Sequence, residues 1–339
     1  MSWYLTTDQI TRVQIEISNY CNAQCPMCDR EWYSKSDLNN TLIPIDKIKS
    51  IFVNDNWGSL NQVHFCGNYD EPTTHPDLYE LCEWILDSMP TRVSISTNGG
   101  TRDTEFWTAL GHLSKRTFGR LNVVWGIDGL EDTNHLYRKN VVWNKLKQNF
   151  ECYIQAGGNA IWQFISFEHN YHQYDQIKKL YKEWGFNGFK VINTYRPSST
   201  VPVKDKITKN TVSKPTVVSY DASNLDKRLE KNTEYLKKIE CKAINSQSSL
   251  GKSLYINHQG LVVPCCWMGA FTELTKTKNN IVEYNKKTHS IYNFDKISDL
   301  LKSSFFVELK KGIEKMSVDT CKQYCQIKTQ YSSTSSFSQ

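Results

Sequence analysis

The 339-residue sequence predicts an α/β protein organised as six βα repeats. Two observations carry this. From residue 12 to about 195, short β-rich runs alternate with amphipathic helical stretches, the pattern of a parallel sheet that is either a closed or partial barrel or doubly wound. The polar motifs also fall directly after the runs, where both architectures place their reactive groups.

The first run, "RVQIEIS" (12–18), leads into the cysteine-rich stretch "NYCNAQCPMCDREW", and a proline-led helix "PIDKIKSIFVN" follows. The second, "QVHFCG" (62–67), opens the loop "GNYDEP" before the helix "HPDLYELCEWILDSM". The third, "RVSISTNGG" (92–100), carries its loop at its own end and precedes "DTEFWTALGHL". The fourth, "NVVWGIDG" (122–129), precedes "VVWNKLKQNFECYIQAG". The fifth, "AIWQFISF" (160–167), runs into "EHN" and then "HQYDQIKKLYKEWGF", and "FKVINTY" (189–195) is the sixth. Together, residues 1–196 form the expected core.

Residues 197–240 change character, with Pro197, Pro202 and Pro215 among many Ser, Thr and Lys, and then "NLDKRLEKNTEYLKKIE". They read as a lysine-rich linker and one exposed helix. A smaller α+β unit is expected over 241–328: a hairpin "SLYINHQGLVVPCCW" turning at Asn257 to Gly260, a helix "ISDLLKSSFFVELKKGIEKM", and "CKQYC". The polar end, 329–339, reads as a disordered tail.

Composition narrows the function. With 39% hydrophobic, 12% aromatic and 22% charged residues, the chain has a soluble protein's balance. No apolar run approaches the roughly 20 residues that span a bilayer, and the N-terminus lacks a signal peptide's apolar segment. A cytoplasmic protein with no membrane partner is expected. The net charge of +6 is modest and mixed in sequence, which argues against a nucleic-acid partner. Eleven cysteines in a reduced cytosolic chain point to metal binding or catalysis more than to disulfides. Cys66, Cys82 and Cys152 stand alone in strand or helix patterns, as small buried hydrophobes do.

Cys21, Cys25 and Cys28 form the first cluster. Structural zinc takes four ligands, and a cubane iron–sulfur cluster normally takes four thiolates. Three thiolates leave one iron open to a small molecule with paired amine and carboxylate. This C-x3-C-x2-C spacing after the first strand resembles the signature of the radical S-adenosylmethionine (radical SAM) superfamily. The resemblance implies a partial (β/α)6 TIM-like barrel, a [4Fe–4S] cluster on the three cysteines, and S-adenosylmethionine as cofactor. It further implies cofactor contacts residue by residue. Met27 packs near the adenine, and "CGNYDEP" stands where relatives carry Gly-Gly-Glu-Pro. Gly67, Asn68, Asp70 and Glu71 therefore surround the ammonium, with Glu71 as the foremost acceptor. Thr97 and Asn98 line the same mouth. "GIDG" and "YRKN" resemble a Ser-x-Asp-Gly segment and its downstream arginine, so Asp128 and Arg138 face the cofactor, with Gly126 in the serine's place. His64, Cys66, Glu168 and His169 are candidates for proton or hydrogen transfer, though none is singled out as catalytic. Trp125, Trp162, Phe164 and Phe167 either wall the barrel or fill the core.

The second cluster is Cys241, Gly260-x4-Cys265 and Cys321-x3-Cys325. It resembles the twitch domain, the shortened form of the SPASM extension, and implies an auxiliary [4Fe–4S] cluster. The glycine register favours Cys265 over Cys266. The implied enzyme cleaves S-adenosylmethionine reductively to a 5′-deoxyadenosyl radical that takes hydrogen from a peptide or small molecule. The outcome is an oxidation, a crosslink or an epimerisation, with electrons from a flavodoxin or ferredoxin. The alternatives are a non-catalytic iron–sulfur or zinc electron-transfer protein, and a nucleoside or nucleic-acid substrate suggested by the basic 204–240 segment.

Overall fold

Six strands alternate with helices in the expected order: β1 (Arg12–Ile15), α1 (Ile45–Val53), β2 (Gln62–Phe65), α2 (Leu78–Ser88), β3 (Arg92–Thr97), α3 (Thr104–Arg116), β4 (Leu121–Gly126), the single turn α4 (Asn134–Tyr137), α5 (Trp143–Gln155), β5 (Asn159–Ile165), α6 (Tyr174–Glu183) and β6 (Gly188–Ile192). After these come the two-residue pair β7 (Val203–Lys204) and β8 (Thr211–Val212), then β9 (Tyr235–Ile239), β10 (Ser253–Ile256), β11 (Val262–Val263), α7 (Cys266–Thr272), α8 (Ile297–Leu300), α9 (Ser304–Glu314) and β12 (Gln326–Gln330). The structure is a computed structural model that describes residues 4–26, 28, 30, 38, 40–192, 203–204, 211–212, 235–244, 251–272, 288–315, 317–318, 320–321 and 325–330.

β1 to β6 pair in parallel and in sequence order, as right-handed βα crossovers require. One face of this sheet is apolar because alternate strand residues are. Val13, Val63, Val93, Val123, Trp125 and Trp162 are all fully buried. Trp125 meets Trp107 of α3 with ring centroids 4.5 Å apart, and Trp162 stacks on Trp184 at 5.4 Å. Burying each such ring contributes roughly 1.5–3 kcal/mol. The four aromatic candidates for a barrel wall, Trp125, Trp162, Phe164 and Phe167, are therefore fully buried core. The helices begin where local chemistry supplies a start: Pro44 precedes α1, and the Asp103 carboxylate accepts from the Phe106 amide at 2.9 Å to cap α3.

Beyond residue 196 the structure departs from expectation in three ways. The hairpin β10–β11 does not stand apart, because β10 lies parallel beside β1, Arg12 opposite Ser253, and makes an eight-stranded sheet ordered β11-β10-β1-β2-β3-β4-β5-β6. The exposed helix expected up to residue 240 is a strand over Tyr235–Ile239, which pairs antiparallel with β12; a long-range ladder overrides the helical propensity of lysine and glutamate. That ladder also takes in Thr329 and Gln330, the start of the expected tail. Last, the helix expected over 297–316 is broken at Ser303, whose extended backbone separates α8 from α9. The rest of the 204–240 segment and Met27 lie outside the described residues. No helix among the described residues is long and apolar enough to cross a membrane.

Candidate functional site

At the C-terminal ends of β1 to β4, three loops converge on the three cysteines, one loop per thiol. The Asn98 amide nitrogen, after β3, stands 3.7 Å from Cys21 Sγ. Arg138 Nη1, after β4 and α4, stands 3.9 Å from Cys25 Sγ, and Cys28 Sγ lies 3.9 Å from the Asn68 carbonyl after β2. Backbone bonds fasten the loops: Glu71 N donates to Tyr20 O at 2.8 Å, and Gln24 N to Lys139 O at 3.1 Å. The Arg30 guanidinium adds bonds to the Asn19 and Tyr69 carbonyls.

Burial raises the Cys25 thiol to about 11, against the lowering effect of Arg138, and burial, then Glu71 and Cys25, raise Cys21. These thiols hold their protons until a metal displaces them. Among the described residues no three Cys, His, Asp or Glu converge as one metal ion requires. A cubane differs, since it takes each thiolate on a different iron. Three clustered thiols, each backed by a separate loop, fit it.

Asp128 holds Arg138 in place. Its Oδ2 accepts from Arg138 Nε at 2.7 Å and its Oδ1 from the Ile165 amide at 2.6 Å, with the carboxylate fully buried. Burial pushes Asp128 up, but Arg138 and the Ile165 amide oppose the rise. Gly126 is explained by the same arginine: a Cβ there would sit 2.5 Å from Arg138 Nη2, so no serine fits while Arg138 reaches Cys25.

The two acids of the loop after β2 stand in different surroundings. Glu71 is a strut: its Oε1 accepts from the Thr97 and Thr73 hydroxyls at 2.6 and 2.7 Å, and its Oε2 from the Asn98 amide at 2.7 Å. Thr97 is thereby committed to Glu71, and Asn98 also bonds Asn22 at 2.9 Å. Asp70 is different. Its Oδ1 accepts from the Gly67 amide at 2.7 Å, while its Oδ2 is buried with no hydrogen-bond partner among the described residues. Burial, then Glu16 and Glu71, push Asp70 well above the usual carboxylate range. Gly67 must lack a side chain, because its Cβ would fall 2.3 Å from the Glu16 side chain.

Glu16 is the main functional-site residue that the sequence did not single out. Fully buried beyond β1, it accepts from the Tyr69 amide at 2.6 Å, from His258 Nδ1 at 3.0 Å and from the Tyr255 hydroxyl at 3.2 Å. An acid between Ile15 and Ile17 was the available signal. The other candidates divide. His64 is locked between Arg12 and Ser96, and Glu168 is exposed. His169 stacks on Phe167, with neither ring nitrogen hydrogen-bonded among the described residues.

The second cysteine group also comes together. The β9–β12 ladder sets Cys241 beside Cys325, with Glu240 N donating to Cys325 O at 3.0 Å. Burial, then Cys241 and Cys325, raise the Cys321 thiol to about 12. Cys265 lies near Cys241 and Cys321, and Cys266 lies near Cys66 and Arg12.

Comparison with known proteins places the fold. No family model and no curated protein sequence matches the chain. Among solved structures, Streptococcus suis SuiB bound to its precursor peptide SuiA is similar at 15% identity, with a TM-score of 0.56, covering 93% of this chain and 71% of SuiB. AdoMet-bound anSMEcpe is similar at 16% identity, with a TM-score of 0.54, covering 93% of this chain and 89% of that one. Another structure of anSMEcpe, holding AdoMet and the Kp18Cys peptide, is similar at 15% identity, with a TM-score of 0.53.

Proposed function

From the fold this chain shares with the radical SAM enzymes SuiB and anSMEcpe, we propose that it is itself a radical SAM enzyme acting on a peptide. The observation that carries the reading is the meeting of three loops on Cys21, Cys25 and Cys28, one polar contact to each thiol. A [4Fe–4S] cluster on these cysteines, with S-adenosylmethionine on its open iron, supplies one-electron cleavage of the sulfonium and a 5′-deoxyadenosyl radical that takes hydrogen from substrate.

The chain's own residues bind and orient. Asp70 Oδ2, the buried oxygen without a partner, accepts the cofactor's ammonium; Glu71, already saturated, holds the loops after β2 and β3 together. Arg138, fixed by Asp128, turns a guanidinium nitrogen toward Cys25 and offers charge to the cofactor's carboxylate. Gly67 and Asn68 shape the same turn, and Asn68 also donates to Cys266 O at 2.9 Å, joining the cofactor loop to the hairpin. Cys241, Cys265, Cys321 and Cys325 would hold an auxiliary [4Fe–4S] cluster, which takes four thiolates, one per iron.

Anaerobic reconstitution tests this reading. With dithionite and S-adenosylmethionine the protein is expected to release 5′-deoxyadenosine, and the Cys21→Ala/Cys25→Ala/Cys28→Ala variant to release none. Intact S-adenosylmethionine beside a fully assembled first cluster would sink the proposal.

A further inference from the structure

The face of the sheet turned away from the helices carries the half-buried polar residues Gln14, His64, Ser96, Asn122 and Gln163 beside the buried Ser94 and Val124. On β5 and β6, Trp162 and Phe189 pack toward Trp184 and Tyr181 at the helical side. Their strand neighbours Gln163 and Lys190, opposite each other in register, therefore project to the other side. By the same alternation Gln14 and His64 share that side. Lys190 on β6, with three strands between it and β2, also helps to lower His64, after burial and Arg12.

Two cations stand in this hollow without a carboxylate. Arg12 donates from Nη2 to His64 Nδ1, so the neutral ring carries its proton on Nε2 and donates to Ser96 Oγ at 2.9 Å. Arg12 Nε is buried and has no hydrogen-bond partner among the described residues. Arg12 also lines a small cavity shared with Gln14, Tyr255 and Cys266. Lys190 is exposed and makes no ion pair among the described residues. The carboxylates nearest the hollow are already assigned, Glu16 to His258 and Asp70 to the turn beside Gly67. A partly desolvated hollow with spare positive charge is complementary to an anion.

We propose that this hollow seats the substrate and that Arg12 and Lys190 select a peptide with a carboxylate side chain, glutamate or aspartate, close to the modified residue. The inference rests on the peptide reading above and adds the charge of the substrate. Gln163 offers its amide beside Lys190, and Arg12 meets the carboxylate with its Nε–H.

The test is fluorescence anisotropy with reconstituted protein and S-adenosylmethionine, using labelled eight-residue peptides in which serine alternates with Glu, Gln or Lys. The Glu peptide is expected to bind at least about ten-fold more tightly than the Gln peptide. Arg12→Gln and Lys190→Gln are each expected to erase most of that preference, and Lys190→Glu to move it toward the Lys peptide. Position 190 is exposed, so its variants remain informative if Arg12→Gln does not fold. Equal affinity for the Glu and Gln peptides, including no binding of either, overturns the inference. So does a preference unchanged in both Lys190 variants. Release of 5′-deoxyadenosine by the unaltered protein is scored separately. Cleavage without charge preference removes only this inference; charge preference without cleavage removes only the radical reading.

Discussion

Arg138 connects three requirements at one side chain: a buried carboxylate partner, a glycine at 126 and a cysteine thiol. Removing a partner from such a pair leaves an uncompensated charge, so Asp128→Ala is expected to cost about 3–5 kcal/mol in urea unfolding. Gly126→Ser introduces a side chain that displaces the guanidinium. Its expected result is slower S-adenosylmethionine cleavage together with lower stability. His64 makes a pH prediction. Burial, then Arg12 and Lys190, lower it from 6.5 to about 3, so between those values the unfolded chain binds a proton that the native protein refuses. Native stability from this group is present above pH 6.5 and is lost as pH falls toward 3. The stability of the unaltered protein relative to His64→Gln should drop by up to about 1.4 kcal/mol per pH unit across that window. At this scale the sequence was informative where the chemistry is local. Three cysteines within eight positions identify themselves, whereas Glu16 and His258 are 242 residues apart and only the fold brings them together. That Glu71 is tied to donors from the next strand's loop was hidden for a related reason, because only the fold brings Thr97 and Asn98 beside it.

Elements distant in sequence build the second cysteine group. The β9–β12 ladder brings Cys241 and Cys325 to the same end of the pair, and Cys265 follows the hairpin. Iron analysis of the Cys21→Ala/Cys25→Ala/Cys28→Ala variant should therefore find about four irons per chain; zinc in their place would contradict an auxiliary iron–sulfur cluster. The hairpin is held to the barrel by β10 pairing with β1 and by His258 on Glu16. His258→Ala leaves that carboxylate short of donors and is expected to cost about 1–3 kcal/mol, read from the urea midpoint. The six βα units were legible because period and punctuation are properties of the segments themselves. β9 was not, since a lysine-rich run with helical propensity becomes a strand only when Gln326–Gln330 lies alongside. Nor did the hairpin's sequence say that its first strand would add to the barrel's own sheet.

Across the whole molecule the sheet separates two jobs. Its aromatic side packs the helices, and its other side carries the polar residues Gln14, His64, Gln163 and Lys190. The cysteine loop follows β1, and the hairpin that precedes Cys265 and Cys266 pairs along the β1 edge. On the proposed reading, a radical made at Cys21, Cys25 and Cys28 would form at the C-terminal ends of the strands, beside the loops after β2 to β4. The central claim is that the cluster on these three cysteines keeps an iron free for S-adenosylmethionine. It is tested most directly by electron paramagnetic resonance of the reduced, reconstituted Cys241→Ala/Cys265→Ala/Cys321→Ala/Cys325→Ala variant, recorded with and without S-adenosylmethionine. The expected result is a cluster signal whose shape and g-values change on addition of the cofactor; a signal from an assembled cluster that stays the same would contradict the claim.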